Sequence, residues 1–188
     1  MPIIEAHLLE GYSDAEKERL ARGLTDAALM VVPATPDAIT VMIHEMPGAH
    51  YMRGGLRRQG APARPDPCET IRDYLAAMEA RDLPRAEAML GAGFVMNFPD
   101  APNLKTLAEL IAWAKPRYRF VKKTYDKFEA FQQGMVSVVY SMGTLYGEWP
   151  DGTPFAGIRF IDRFEMKNGQ ITRQDVWNDM AEVRAKLA

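Results

Sequence analysis

Along residues 3–46 the spacing of apolar positions changes twice. Residues 3–9 are mainly apolar and predict a strand, which Gly11-Tyr12 ends. Ser13-Asp14-Ala15-Glu16 has the spacing of a capping box, in which serine and glutamate satisfy free backbone N–H groups at a helix start. Leu20, Leu24, Ala27, Ala28 and Val31 then recur at helical spacing and give one apolar face. Pro33 and Pro36 close that helix, because proline cannot continue it. Ile39 to Met46 alternates as a second strand, and Pro47-Gly48 ends it. A helix crossing over between two strands makes them parallel neighbours, with right-handed connectivity.

A strand–helix–strand unit of this size leaves one sheet face and two sheet edges open. It buries too little to be stable alone, so other copies of the chain are expected to cover it. The expected state is a homo-oligomer: a dimer, trimer or hexamer. Gly54 to Asp66 is rich in Gly, Pro, Ala and Arg and has no period, which predicts a linker. The expected domains are residues 1–55 and 67–188, with 56–66 between them.

Past the linker, Asp66-Pro67 is an N-cap followed by proline at the first helical position. Ile71, Leu75 and Met78, then Ala86, Met89 and Leu90, give the apolar faces of two short helices divided near Leu83-Pro84. Phe94 to Phe98 predicts a short strand. Asn103 is the expected cap of a third helix, with Leu104, Leu107, Leu110 and Ile111 facing inward. After Pro116 the pattern turns to strands, roughly 118–132, 135–147, 154–167 and 170–178. Gly134, Asp151-Gly152 and Asn168-Gly169 stand at the turns. A closing helix is expected over 181–187. The fold class is α+β: a β-α-β unit, then three helices and a curved antiparallel sheet forming a cone.

Composition narrows the function classes. Of the 188 residues, 47% are hydrophobic and 26% charged, as in a folded globular chain, and the formal net charge of -2 gives no basic field for nucleic acid. No apolar run approaches a membrane span, and Glu5, His7 and Glu10 interrupt the N-terminus where a secretory signal would need an apolar core. Cys68 is the only cysteine, so a reducing cytoplasm is the expected compartment. His7, His44 and His50 lack metal-ligand spacing, and Gly54-Gly55 is no phosphate loop. Neither metal nor cofactor is expected, and the expected partner is a small-molecule substrate. Trp113, Trp149 and Trp177 are expected as core or cavity aromatics.

Pro2-Ile-Ile-Glu-Ala-His-Leu-Leu-Glu-Gly11, Ser13-Asp14, Ile39-Thr-Val-Met-Ile-His-Glu-Met46 and His50-Tyr51, taken in order, resemble a 4-oxalocrotonate tautomerase subunit. The resemblance implies that Met1 is removed and that the freed nitrogen of Pro2 is the catalytic group. A prolyl N-terminus at the start of a buried strand is a desolvated secondary amine, and desolvation lowers its pKa towards the range where a general base works at neutral pH. The family's carboxylate-binding arginines correspond here to Tyr12 and Thr40, and its pocket aromatic to Tyr51. Neither tyrosine nor threonine replaces a guanidinium. A neutral or differently anchored ketone or enol is therefore the expected substrate. Arg53, Arg57 and Arg58 are the cations at hand.

The second domain resembles the SnoaL-like, ketosteroid-isomerase-like family. The residues that carry this are Tyr74-Leu-Ala-Ala-Met-Glu-Ala-Arg-Asp-Leu83, Phe98-Pro99, Ile161-Asp-Arg-Phe-Glu-Met-Lys-Asn-Gly-Gln-Ile171 and Trp177-Asn178. The resemblance implies a cavity between helices and sheet. It places Tyr74 and Asp162 at oxyanion-stabilising positions and Phe98 where the family carries its base. The protonated aspartate of ketosteroid isomerase is a known example of a carboxyl held neutral in an apolar site. Asn97, Asp100, Asp175 and Asn178 are nearby polar groups.

The leading expectation is a cofactor-independent keto–enol tautomerase working through Pro2, with Tyr12, Thr40 and Tyr51 shaping its pocket. Two alternatives stay open. In one, the cone around Tyr74, Phe98, Asp162 and Asp175 is the catalytic half, as a lyase, cyclase, hydratase-like enzyme or isomerase, and the first domain assembles the oligomer. In the other, both domains form a binding scaffold.

Overall fold

A computed structural model describes residues 2–186. The closing helix expected over 181–187 is observed as Met180–Ala185, and Leu187 lies outside the described residues. The chain divides into two compact units, Met1–Ala63 and Arg64–Ala188.

The first unit is β1 (Ile3–Leu9), α1 (Asp14–Leu29) and β2 (Thr40–Met46), with β1 and β2 parallel and in register from Ile3↔Thr40 to Leu9↔Met46. The capping box is present, Ser13 accepting from the Glu16 N–H and Glu16 from the Ser13 N–H. The helix stops at Leu29 with Met30 as its C-cap, so Val31 lies beyond it and is 83% exposed. Lys17 on α1 bridges to Glu45 on β2 at 3.0 Å. A hairpin comes next, β3 (Met52–Arg53) with β4 (Leu56–Arg57). Gly54 and Gly55 carry it round at φ 59° and 71°, a left-handed pair that side chains other than glycine resist. The stretch expected as linker therefore opens with a strand, and only residues 58–66 lack regular structure. Ile39 is the one hydrophobic side chain buried in this unit among the described residues.

The second unit opens with α2 (Pro67–Ala80) and α3 (Leu83–Ala88), capped by Asp66 and Asp82. Then come β5 (Leu90–Phe98), β6 (Ala101–Leu104), α4 (Leu107–Ala114), β7 (Phe120–Gln133), β8 (Val136–Glu148), β9 (Pro154–Lys167), β10 (Gln170–Asn178) and α5 (Met180–Ala185). The strands form one sheet in the order β6-β5-β10-β9-β8-β7. It is antiparallel except between β5 and β10, so the sheet is mixed rather than purely antiparallel. Register shifts at Tyr125/Lys127 and Ile171/Arg173 mark bulges, which bend a strand and help curl the sheet.

Two details differ from the sequence pattern. Asn103 is no helix cap. It lies on β6 at φ 61°, and Thr106 caps α4, with Glu109 completing the capping box. Leu104 is accordingly a strand residue. Trp177 is 54% exposed, whereas Trp149 is buried at 4%. The core joins Ile71, Tyr74 and Leu75 of α2 to Leu107 and Leu110 of α4 and to Met96, Val139, Phe164 and Ile171 of the sheet. A second cluster, Leu145, Trp149, Phe155, Ile158 and Phe160, takes Met180 and Val183 of α5 against it.

Candidate functional site

Pro2 stands at the head of β1, half-buried, and its carbonyl accepts the Thr40 N–H at 3.1 Å. Pro2 and Thr40 thus share the leading ends of the two parallel strands. Tyr12 and Tyr51 lie past the trailing ends. The Tyr12 hydroxyl donates to the Ala61 carbonyl at 3.0 Å, and the Tyr51 carbonyl accepts the Arg58 N–H at 3.2 Å. A seven-residue strand spans about 23 Å at roughly 3.3 Å per residue, so one copy cannot bring Pro2 to either tyrosine. Arg53, on the β3–β4 hairpin, reaches the Tyr51 hydroxyl at 3.4 Å and puts a guanidinium beside the aromatic. His7 and His44, register partners on the open sheet face, stack with ring centroids 4.9 Å apart.

In the second unit, a cavity of about 200 Å³ lies between the helices and the sheet. Leu75, Met78, Phe98, Leu110, Ile111 and Val121 give it apolar walls, and Tyr74, Lys123, Tyr125 and Gln174 bring polar groups to it. The Tyr74 hydroxyl donates to Gln174 Oε1 at 3.4 Å, and its ring meets Phe164 edge-on. Phe98 packs on Trp113 at 5.1 Å.

Asp162 is fully buried on β9, does not line the cavity, and contacts Lys123 Nζ through Oδ2. Its Oδ1 has no partner, and neither has the buried hydroxyl of Ser141, its register partner on β8. Burial pushes the Asp162 carboxyl up, and Lys123 opposes the shift. Burial, with the Asp162 charge adding to it, also pushes the Tyr74 and Tyr125 hydroxyls up, so both stay protonated donors. Tyr118, also at the cavity wall, is pushed up to about 12 by burial.

Asp175 does not join this group. It is one residue along from Gln174, on the other face of β10, and is held by Asn97 at 2.6 Å, Arg173 at 2.8 Å and Arg163 at 3.4 Å. Burial raises its carboxyl, but Arg173, Asn97 and Arg163 outweigh that and hold it below the usual range. Of the second-site residues named from sequence, the structure therefore gathers Tyr74 and Phe98 at the cavity and sets Asp162 behind Lys123. Lys123, Tyr125 and Gln174 were missed. The alternation Val121-Lys123-Tyr125 carried the signal, because it puts a lysine on the inward face of a strand. Among the described residues no group of three or more His, Cys, Asp or Glu could hold a metal, and no helix is long and apolar enough to cross a membrane.

The sequence profile of the family described as "Tautomerase enzyme" matches residues 2–59. The 2-hydroxymuconate tautomerase of Stutzerimonas stutzeri is 42% identical over 55 residues, which are 29% of this chain and 87% of that protein. A probable tautomerase of Streptococcus mutans is 38% identical over 61 residues, 32% of this chain and 100% of that protein. The chain belongs to the tautomerase family. The tautomerase segment is the first unit, and the family is one of isomerase-type enzymes. For the rest of the chain the likeness is structural. An NTF2-like protein of unknown function from Burkholderia pseudomallei superposes with a TM-score of 0.51 at 22% identity, over 62% of this chain and 93% of that one. At that identity the likeness establishes the NTF2-like cone and nothing of its chemistry.

Proposed function

We propose that the chain is a cofactor-independent keto–enol tautomerase of a small carbonyl compound, with Pro2 as its acid–base group once Met1 is removed. The observation that carries this is the family match over residues 2–59, which begins at Pro2. The neutral secondary amine takes the proton next to the substrate carbonyl. The C–H electron pair becomes the C=C bond of the enol, and the prolinium returns the proton to oxygen or to a carbon further along the conjugated system.

The working site takes Pro2 and Thr40 from one copy and Tyr12 and Tyr51 from another. Their separation within one copy and the nearly coreless first unit both support a shared site. Arg53, beside Tyr51, supplies the charge that Tyr12 and Thr40 lack, as a single guanidinium rather than a pair. A monocarboxylate such as a 2-oxo acid fits one guanidinium better than a dicarboxylate does.

Intact mass of the purified protein and a phenylpyruvate enol–keto assay test the reading. A mass lacking Met1, with kcat/KM lowered about 10²- to 10⁴-fold in Pro2→Ala, is the expected result. Retained Met1 in an active protein, or equal turnover by Pro2→Ala, overturns it.

A further inference from the structure

The open sheet face of the first unit carries a pair of metal donors that spacing along the chain hides. We propose that His7 and His44 together bind one divalent transition ion of the zinc class, as a clip between β1 and β2. The site is separate from Pro2 and does not depend on the tautomerase proposal.

Strand register makes the pair. His7 and His44 lie directly opposite each other on parallel neighbours, and the alternation of each strand sends both rings to the same face. Their centroids are 4.9 Å apart and their planes 17° from parallel. Zinc–nitrogen bonds of about 2.0–2.1 Å at a tetrahedral angle hold two ligating nitrogens roughly 3.3 Å apart. A modest turn of each ring about χ2 reaches that spacing, and this torsion is broad in histidine. The His7 side chain is 58% exposed and His44 is exposed too, so both rings have room to turn.

Donor chemistry selects the ion. A neutral imidazole offers one lone pair, a donor suited to zinc, copper or nickel rather than to calcium or magnesium. Glu5, two residues before His7 on the same face, brings its carboxylate to 3.8 Å from His7 Nε2. That charge attracts a cation, and a carboxylate beside a ligating histidine is a common outer partner of a metal site. The remaining positions of the face, Ile3, Leu9, Thr40, Met42 and Met46, carry no charge that would repel one. Among the described residues no third donor joins the two rings, so water completes the shell.

A clip suits this unit. Ile39 is its one buried hydrophobic side chain among the described residues, and a fold this small needs a staple beyond its core. The two imidazoles meet only when β1 and β2 are paired, so an ion held by both binds the folded state and stabilises it by mass action.

The full-length chain is refolded with Zn²⁺ present, so that assembly does not close the face first, and affinity is read by competition with a chromophoric chelator. One ion per pair is expected. His7→Gln and His44→Gln should each weaken binding at least about tenfold, because the second imidazole binds within the same molecule and its loss removes that advantage. His50→Gln, off this face, should leave the affinity unchanged. Glu5→Gln keeps both donors and should weaken binding about twofold to fivefold; it decides the matter if helical ellipticity shows that both histidine variants misfold. Zinc should also raise the urea midpoint of the wild type and not that of His44→Gln. Absence of zinc binding, wild-type affinity in either single variant of the pair, an equal loss in His50→Gln or an unmoved wild-type midpoint would each overturn the proposal.

Discussion

Lys123 reaches Asp162 across an intervening strand, β8. Asp162 is fully buried and Lys123 is 20% exposed, so each carries a desolvation cost that the other offsets. The pair therefore behaves as a unit. Lys123→Met alone should cost about 3–5 kcal/mol, because it strands a buried carboxylate, whereas Lys123→Met/Asp162→Leu should fall within about 1 kcal/mol of the wild type. Urea unfolding of the three proteins reads both numbers. Equal loss in the single and paired variants would show that packing, not charge pairing, governs this wall.

The same pair sets a pH dependence. The folded Asp162 carboxyl lies above the ordinary value of 3.8, so at mildly acid pH the folded state binds more protons there than the unfolded chain does. Stability contributed by this group is fully present below about 4 and declines as pH rises through the folded pKa. Asp175, held low by Arg173, Asn97 and Arg163, acts in the opposite direction: its contribution is present above about 4 and is lost as pH falls. Subtracting the unfolding curve of Lys123→Met/Asp162→Leu from that of wild type between pH 3.5 and 7 removes every carboxylate the two share. The remainder should slope downward with rising pH.

Gly143 sits opposite Tyr125 on β7 and Phe160 on β9. A Cβ at this position would lie 2.0 Å from the Thr124 carbonyl oxygen, a backbone atom that cannot swing aside. Gly143→Ala should therefore destabilise by about 1–3 kcal/mol through displacement of β7. Thermal unfolding measures the loss.

Much of this is legible along the chain, and the gaps have physical causes. The Ser13/Glu16 box, the Asp66-Pro67 start and the Asn168-Gly169 turn are local chemistry, and each stands where its residues predict. Thr106 with Glu109 is the same S/T-x-x-E signal, masked by Leu104, which extends the apolar run backwards past the true cap. Gly54-Gly55 is a hairpin signal hidden by the prolines and arginines around it. The parallel β5–β10 pairing joins segments some eighty residues apart, and no local pattern reports it. Asp175 and Asp162 look alike in sequence. Only the strand register shows that one is tied among arginines and the other stands behind a lysine.

Thr106→Ala removes the α4 N-cap and frees Glu109 from its reciprocal bond. A loss of about 1 kcal/mol is expected. Asn103→Gly, at a left-handed position on β6, should change stability by less, since glycine adopts that conformation without strain. Reversal of that order in urea melts would return the cap to Asn103.

The first unit makes the strongest demand on assembly. Among the described residues its one buried apolar side chain is Ile39, while Ile3 is 63% exposed and Met42 37% exposed on the sheet face that α1 does not cover. A polypeptide of residues 2–63 should thus be folded only where it self-associates, and its helical ellipticity should fall on dilution as the oligomer separates. The same geometry divides the proposed site between copies. Pro2→Ala supplies an intact Arg53 and Tyr51, and Arg53→Ala supplies an intact Pro2. Unfolding the two inactive full-length variants together and refolding them as a mixture should restore a fraction of phenylpyruvate tautomerase activity that neither shows alone. Recovery of activity establishes that the site crosses a subunit boundary. A mixture no more active than its components, in an oligomer shown by mass to contain both chains, would place the whole site within one copy.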